Sequence, residues 1–377
     1  MKRRIFLSVG SMMAASAMAG NATTNHFARV AGSGQLRAAE HGINTGGSPY
    51  PDGRPWTALR MNAVDHGIVL RHGDTPGDCD RLGARDVWVF EADGLYYMHY
   101  DGAGADGWLC CQAMSDDLVN WTKHGPVLDF GAPGTRDFRS ASYGTTFFDG
   151  ETWHMFYLGT PNVSPAPDFV PSFPYLTLKA RSNSPAGPWT KQPAVTPFAP
   201  QPGTYYSVTA SPGQIVHIGD EYRMFFSAST DSPTLRTLGI ARTRDLNGTW
   251  TIDPEPIVPL AEQIENSSLY FEPESETWFL FTNHVGLKPG VGEYTDAIWV
   301  YWSKDPDRWN PDCKAVVLDG ANCEWSRTIV GLPSVVRIGD RLAIFYDGRE
   351  DPDDFGHMRR HIGLAWLPLP LRIPTPE

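Results

Sequence analysis

Cysteine is scarce in this chain. The five present, Cys79, Cys110, Cys111, Cys313 and Cys323, include no C-x-x-C pair, which argues against a zinc-type cluster. Positive charge is also short. Thirty-one Lys and Arg face 43 Asp and Glu, for a net charge of −12. That balance argues against nucleic acid or an anionic membrane as the main partner. Beyond the N-terminus no apolar run is long enough to cross a bilayer. The chain is 41% hydrophobic and only 20% charged, so a disordered or fibrous chain is excluded. Glycine and proline are plentiful, at 37 and 32 of 377 residues, and evenly spread. This suits many short strands joined by turns and does not suit a helical protein.

Lys2, Arg3 and Arg4 precede an apolar, small-residue stretch, and Ala17-Met18-Ala19 fits a signal-peptidase site. The expectation is a signal peptide over residues 1–19, similar to a twin-arginine leader, and export to the periplasm or medium. Residues 20–54 read as a loose N-terminal arm, and 55–377 as one catalytic domain. Cys313 and Cys323 flank a candidate hairpin and are the expected disulfide in an oxidising compartment. Cys110 and Cys111 would face opposite sides of a strand, so at least one is expected to be only a small buried residue.

One pattern recurs from Asp86 onward: an apolar strand, a Gly/Asp turn, then an aromatic strand. The copies centre on Met98, Met155, Met224, Leu280 and Ile344, roughly 60 residues apart. After each of the first four comes a short strand, a polar turn and a tryptophan: Trp121, Trp189, Trp250 and Trp309. The fifth copy ends around Trp366. Hairpins repeating at this period, each followed by further strands, predict an all-β, five-bladed propeller. A sandwich would explain the hairpins but not the recurring tryptophan.

In such a ring, polar residues at the starts of the inner strands converge on the axis. These are Arg85-Asp86, Arg136 to Arg139 with Tyr143, Ser207 to Ser211, Glu265-Asn266 and Arg327. Two carboxyl groups facing one sugar can cleave a glycosidic bond. One acts as base or nucleophile, and the other, with a raised pKa, protonates the leaving oxygen.

The phrases RDVWVFEADGLYYMHYDG and MSDDLVNWTKHGPVL resemble the five-bladed glycoside hydrolases of families 43, 62, 32, 68 and 117. The resemblance implies Asp86 as base or nucleophile, Glu265 as acid and Asp137 as transition-state stabiliser. It implies no required cofactor and no metal-ligating residues, with one Ca²⁺ in the central channel as the option that some relatives show. Arg85, Trp88, Arg139, Tyr143, Ser211, His284 and Arg327 are the candidate substrate-binding residues. His284 doubles as an alternative acid in the manner of family 117. Trp88, Tyr143, Tyr205, Tyr206 and Trp325 are candidate stacking platforms.

The departures from the families mark a divergent chain. Val87 follows Asp86 where family 43 commonly has proline. Tyr143 fills the slot of the residue that tunes the acid. Ala210-Ser211-Pro212 replaces a Glu-x-Pro. Two charged loops, 66–86 and 348–363, are expected to be solvated. The expected function is exo-acting hydrolysis of a plant, algal or microbial glycan, with an oligosaccharide or polysaccharide as partner. The alternatives are a non-catalytic glycan-binding propeller and a phosphorylase of the family-130 kind.

Overall fold

The computed structural model describes residues 5–7 and 49–375. Most of the expected leader and arm lies outside them; within the leader, Ile5–Leu7 pairs antiparallel with residues 216–218. The described chain is nearly all β. Each repeat folds as a four-stranded antiparallel sheet, because the alternating apolar residues need cover on both faces while Gly and Asp turns reverse the chain.

Sheet one comprises Gly83–Ala92, Leu95–Ala103, Trp108–Ser115 and Thr122–Pro126. Sheet two comprises Ser140–Phe148, Trp153–Thr160, Tyr175–Ser182 and Thr190–Lys191. Sheet three comprises Thr209–Ile218, Glu221–Ser229, Arg236–Thr243 and Thr251–Ile252. Sheet four comprises Ile264–Glu272, Thr277–Lys288, Gly292–Ser303 and Lys314–Asp319. Sheet five comprises Val330–Ile338, Arg341–Gly348 and His361–Pro368, completed by the early strand Val64–Leu70. The first strand of each sheet packs against the first strand of the next, and that of sheet five packs against that of sheet one. The five sheets thus form a closed ring.

The recurring tryptophans hold the junctions. Trp121 of sheet one meets Phe345 of sheet five edge-on, at 5.6 Å between centroids. Trp189, Trp250 and Trp309 do the same to His99, Phe156 and Phe225 of the preceding sheet. In every case the partner is the residue after the central apolar residue of the repeat. Edge-to-face contact between large rings adds to the area they bury.

Two expectations about covalent and terminal structure are corrected. The disulfide joins Cys79 to Cys111, while Cys110, Cys313 and Cys323 are free. Spacing along the chain could not show that the loop before sheet one lies across that sheet's third strand. The end of the arm is not loose either. Arg54 is 3% exposed and pairs with Asp52 and Asp296. Residues Met61 and Ala63 donate backbone hydrogen bonds to Val316 and Val317 of sheet four.

Candidate active site

All five inner strands carry one extra residue at the same height, near their starts. The pairing register slips between residues 85 and 87, 141 and 144, 211 and 214, 265 and 268, and 331 and 334. A bulge re-aims the side chains beside it. Asp86, Asn266 and Leu332 adopt left-handed backbone there, at φ of 49°, 61° and 41°. Asp and Asn tolerate that conformation better than other L-residues.

The bulges gather a polar cluster from every sheet. Arg85 Nε lies 3.1 Å from Asp86 and 3.6 Å from Asp347. Arg360 Nη1 lies 3.3 Å from Asp347. The buried Asp101, directly across from Arg85 in the ladder, accepts the Tyr143 backbone N–H. The Tyr143 hydroxyl donates to Asn266 at 3.3 Å. Asn266 in turn donates its backbone N–H to Ser227 Oγ at 2.9 Å and its amide to Asn283 at 2.9 Å. Arg236 of sheet three holds both Glu265 and Glu293, each at 2.8 Å.

Burial pushes the Asp86 carboxyl upward against the pull of Arg85, with Asp347 adding to the rise. Asp101 is raised well above the ordinary value, by burial and then by Asp86. Glu265 is raised by burial against Arg236, with Glu293 and Asp86 adding to it. Burial and then Asp86, Asp101 and Glu265 all push up the Tyr143 hydroxyl. Asp86, of sheet one, thus acts on Glu265, of sheet four, and both act on one tyrosine.

Charge counting sharpens the picture. Asp86, Asp101 and Asp347 face two guanidiniums, Arg85 and Arg360. Of these carboxyls Asp101 is the one raised well above the ordinary value, whereas Asp86 is paired directly to Arg85. Around Arg236 two carboxylates share one cation, and Glu265 is raised there, by burial first and then by its neighbour.

Several expected site residues lie elsewhere. Asp137 accepts from Tyr157 at 2.9 Å and pairs with Lys191 at 2.6 Å. It lines a separate cleft of about 730 Å³ formed by residues 127–137 and the outer part of sheet two. Burial raises its pKa, but Lys191, Tyr157 and Thr135 outweigh that and leave it low. No hydrogen bond or ion pair among the described residues links it to Asp86. His284 is fully buried, its ring tilted against Trp299 at 4.1 Å between centroids and its Nδ1 3.4 Å from Arg54 Nη1. Burial, then Arg54 and Lys314, hold it well below the ordinary histidine value, so it does not stand ready as an acid.

Trp88 is a core residue; its Nε1 donates to Thr146 at 3.0 Å. Tyr205 and Tyr206 belong to the core of sheet three, and Trp325 donates to Tyr346 at 2.7 Å. Tyr143 also packs with Trp88, so its hydroxyl, not its face, reaches the cavity cluster. Ser211 is buried in register with Ser227. Arg139 and Arg327 are exposed, Arg139 over the ring of Phe138. The loop around 348–363 is not merely solvated, since it delivers His357 and Arg360 to the cluster. Among the described residues no group of three or more His, Cys, Asp or Glu is placed to hold a metal.

Asp101 and Asp347 escaped the sequence reading, although a signal was present: both sit in the same Tyr-Asp-Gly triplet, in MHYDG and IFYDG. Arg236 and Glu293 carry no such repeat signal.

No family model matches the sequence. A stretch of 50 residues is 44% identical to a β-1,2-mannobiose phosphorylase of Thermoanaerobacter sp. (strain X514), spanning 12% of this chain and 17% of that protein. Among solved structures, one described as a glycoside hydrolase superposes with a TM-score of 0.59 at 15% identity, covering 85% of this chain and 96% of the other. Zg3597, a family 117 glycoside hydrolase of the marine bacterium Zobellia galactanivorans, gives 0.58 at 14% identity, with 83% and 93% covered. The catalytic domain of a Coprinopsis cinerea GH62 α-L-arabinofuranosidase gives 0.59 at 13% identity, with 82% and 98% covered. At these identities the likeness is one of architecture: the chain has the fold of the five-bladed propeller glycoside hydrolases of families 43, 62 and 117, carried by a divergent sequence.

Proposed function

We propose that this protein is an exported glycosidase, its five sheets the blades of one propeller, hydrolysing O-glycosyl bonds of a plant, algal or microbial glycan. The observation that supports the reading is that Asp86 and Glu265 belong to one polar cluster, each raised in pKa, with Asp86 among the charges that raise Glu265 and both raising Tyr143. Asp86, kept ionised by Arg85, serves as base towards water or as nucleophile towards the anomeric carbon. Glu265, protonated beside Glu293, delivers a proton to the leaving oxygen. Chain-end cleavage is supported by the 161–174 connection. Its Asp168 carbonyl accepts from Trp108 Nε1 at 2.9 Å, and its Phe173 packs 5.3 Å from Arg236, so it bridges sheets one and three beside the polar cluster.

Asp86→Asn keeps a side chain that tolerates the left-handed backbone and removes the base. Its turnover of any hydrolysed glycan is expected to fall by orders of magnitude with folding intact. Glu265→Gln is expected to lose roughly 10²–10⁴-fold on a natural glycan. It loses far less on a p-nitrophenyl glycoside, whose leaving group needs little protonation. Wild-type turnover in Asp86→Asn removes Asp86 from the chemistry.

The short match to a mannobiose phosphorylase favours a second reading, glycoside phosphorolysis. Phosphate would need cations to spare, yet Arg85, Arg236 and Arg360 are each paired to a carboxylate. Activity that requires inorganic phosphate would establish this reading over hydrolysis.

A further inference from the structure

The connection from Arg349 to Arg360 in sheet five runs to the polar cluster and is pinned along its length. Arg349 donates to the Met358 carbonyl at 2.7 Å and pairs with Asp354. The Arg359 N–H reaches the Leu82 carbonyl at 2.7 Å, and the Arg360 carbonyl accepts from Ala84 at 3.0 Å. Phe355 packs edge-on against Tyr294 of sheet four, 5.4 Å away. Between these anchors stands His357.

The Nδ1 of His357 lies 2.7 Å from Arg85 Nη1. A guanidinium only donates, so Nδ1 accepts and the ring proton resides on Nε2. No hydrogen bond from Nε2 is found among the described residues, and the side chain is exposed. Its dense surroundings, then Arg85, Arg360 and Arg236, hold the ring well below its ordinary pKa, although its surface stays open to solvent. Arg85 carries Asp86 and Arg236 carries Glu265, so the imidazole stands among the cations that serve both carboxyls.

We propose that His357 is a substrate-binding residue: a neutral imidazole, its tautomer fixed by Arg85, that presents Nε2–H to a hydroxyl oxygen of the sugar held between Asp86 and Glu265. The assignment rests on the glycosidase reading. A neutral imidazole N–H is far too weak an acid to protonate a leaving group. The role is therefore binding and orientation, and Glu265 remains the acid.

Glutamine can reproduce both functions, its amide oxygen accepting from Arg85 and its N–H₂ donating to the sugar. On the p-nitrophenyl glycoside cleaved best in a panel of pentosides and hexosides, His357→Ala is expected to lose roughly 10-fold in kcat/KM, chiefly through KM, for one lost hydrogen bond. The pH limbs stay in place, and His357→Gln recovers most of the loss. Unchanged kinetics in His357→Ala, or no recovery with Gln, overturns the proposal. Nitrogen-15 spectra of the histidine rings, assigned with His357→Ala, should show the Nε2–H tautomer throughout pH 5–8; an Nδ1–H tautomer or titration in that window also overturns it. Asp86→Asn is measured alongside. Full activity there strikes at the glycosidase reading, whereas its loss with His357→Ala unaffected strikes only at His357. A panel without turnover counts against the glycosidase reading, and the nitrogen-15 result then decides for or against the fixed tautomer.

Discussion

At Asp86 a left-handed backbone, a buried carboxyl and a paired guanidinium meet in one residue. Each term has a sign. Burial disfavours the ionised form of both Asp86 and Glu265, so each carboxyl holds its proton to a higher pH than an exposed one would. Activity should fall on the acid side as Asp86 protonates and on the alkaline side as Glu265 ionises. The whole bell in kcat/KM against pH is therefore expected to sit above the ordinary carboxylate range. An acid limb near pH ~4, where an unperturbed carboxylate titrates, would contradict this. Asp86 and Glu265 were legible because they stand beside the repeated hairpin. Asp137 stood in an equally promising place, but it pairs with Lys191 and lines the cleft at sheet two instead. No feature of the 136–139 stretch announces that partner.

Bulges and edge-on tryptophans are the devices at the scale of the element. Asn266 combines both demands of a bulge, a left-handed φ of 61° and bonds to Tyr143, Ser227 and Asn283. Asn266→Ala should cost about 2–3 kcal/mol, from backbone strain and lost hydrogen bonds. Asn266→Gly should recover the backbone share, and urea unfolding measures both. Trp250, 4% exposed, clamps sheet three to sheet two through Phe156. Trp250→Ala is expected to cost about 3–5 kcal/mol, read by thermal unfolding. A loss below 1 kcal/mol would deny it the clamping role. The tryptophans were visible as a repeat; that each reaches into the preceding sheet was not, since periodicity carries no information about which neighbour is met.

The whole molecule depends on closure. Val64–Leu70 completes sheet five from the N-terminal side, and Met61 and Ala63 tie the same segment to sheet four. Deleting residues 1–70 would leave the edge of His361–Pro368 bare and part the ring at its seam. The expected outcome is loss of cooperative unfolding and aggregation on size exclusion. A truncated monomer with an unchanged melting curve would show that the seam is dispensable. The disulfide belongs to the same scale, because Cys79 lies before sheet one and Cys111 on its third strand. Thiol counting in the denatured, unreduced protein should therefore find three free cysteines.

Local chemistry was enough to set the strands, the turns, the five-fold repeat and the acids beside the hairpins, since each follows from alternation and turn residues within a few positions. Closure decided the rest. Which acid meets which arginine, that Asp101 and Asp347 join Asp86, that Glu293 shares Arg236 with Glu265, and that His357 faces Arg85 are contacts between segments far apart along the chain. Only the ring brings them within hydrogen-bonding reach.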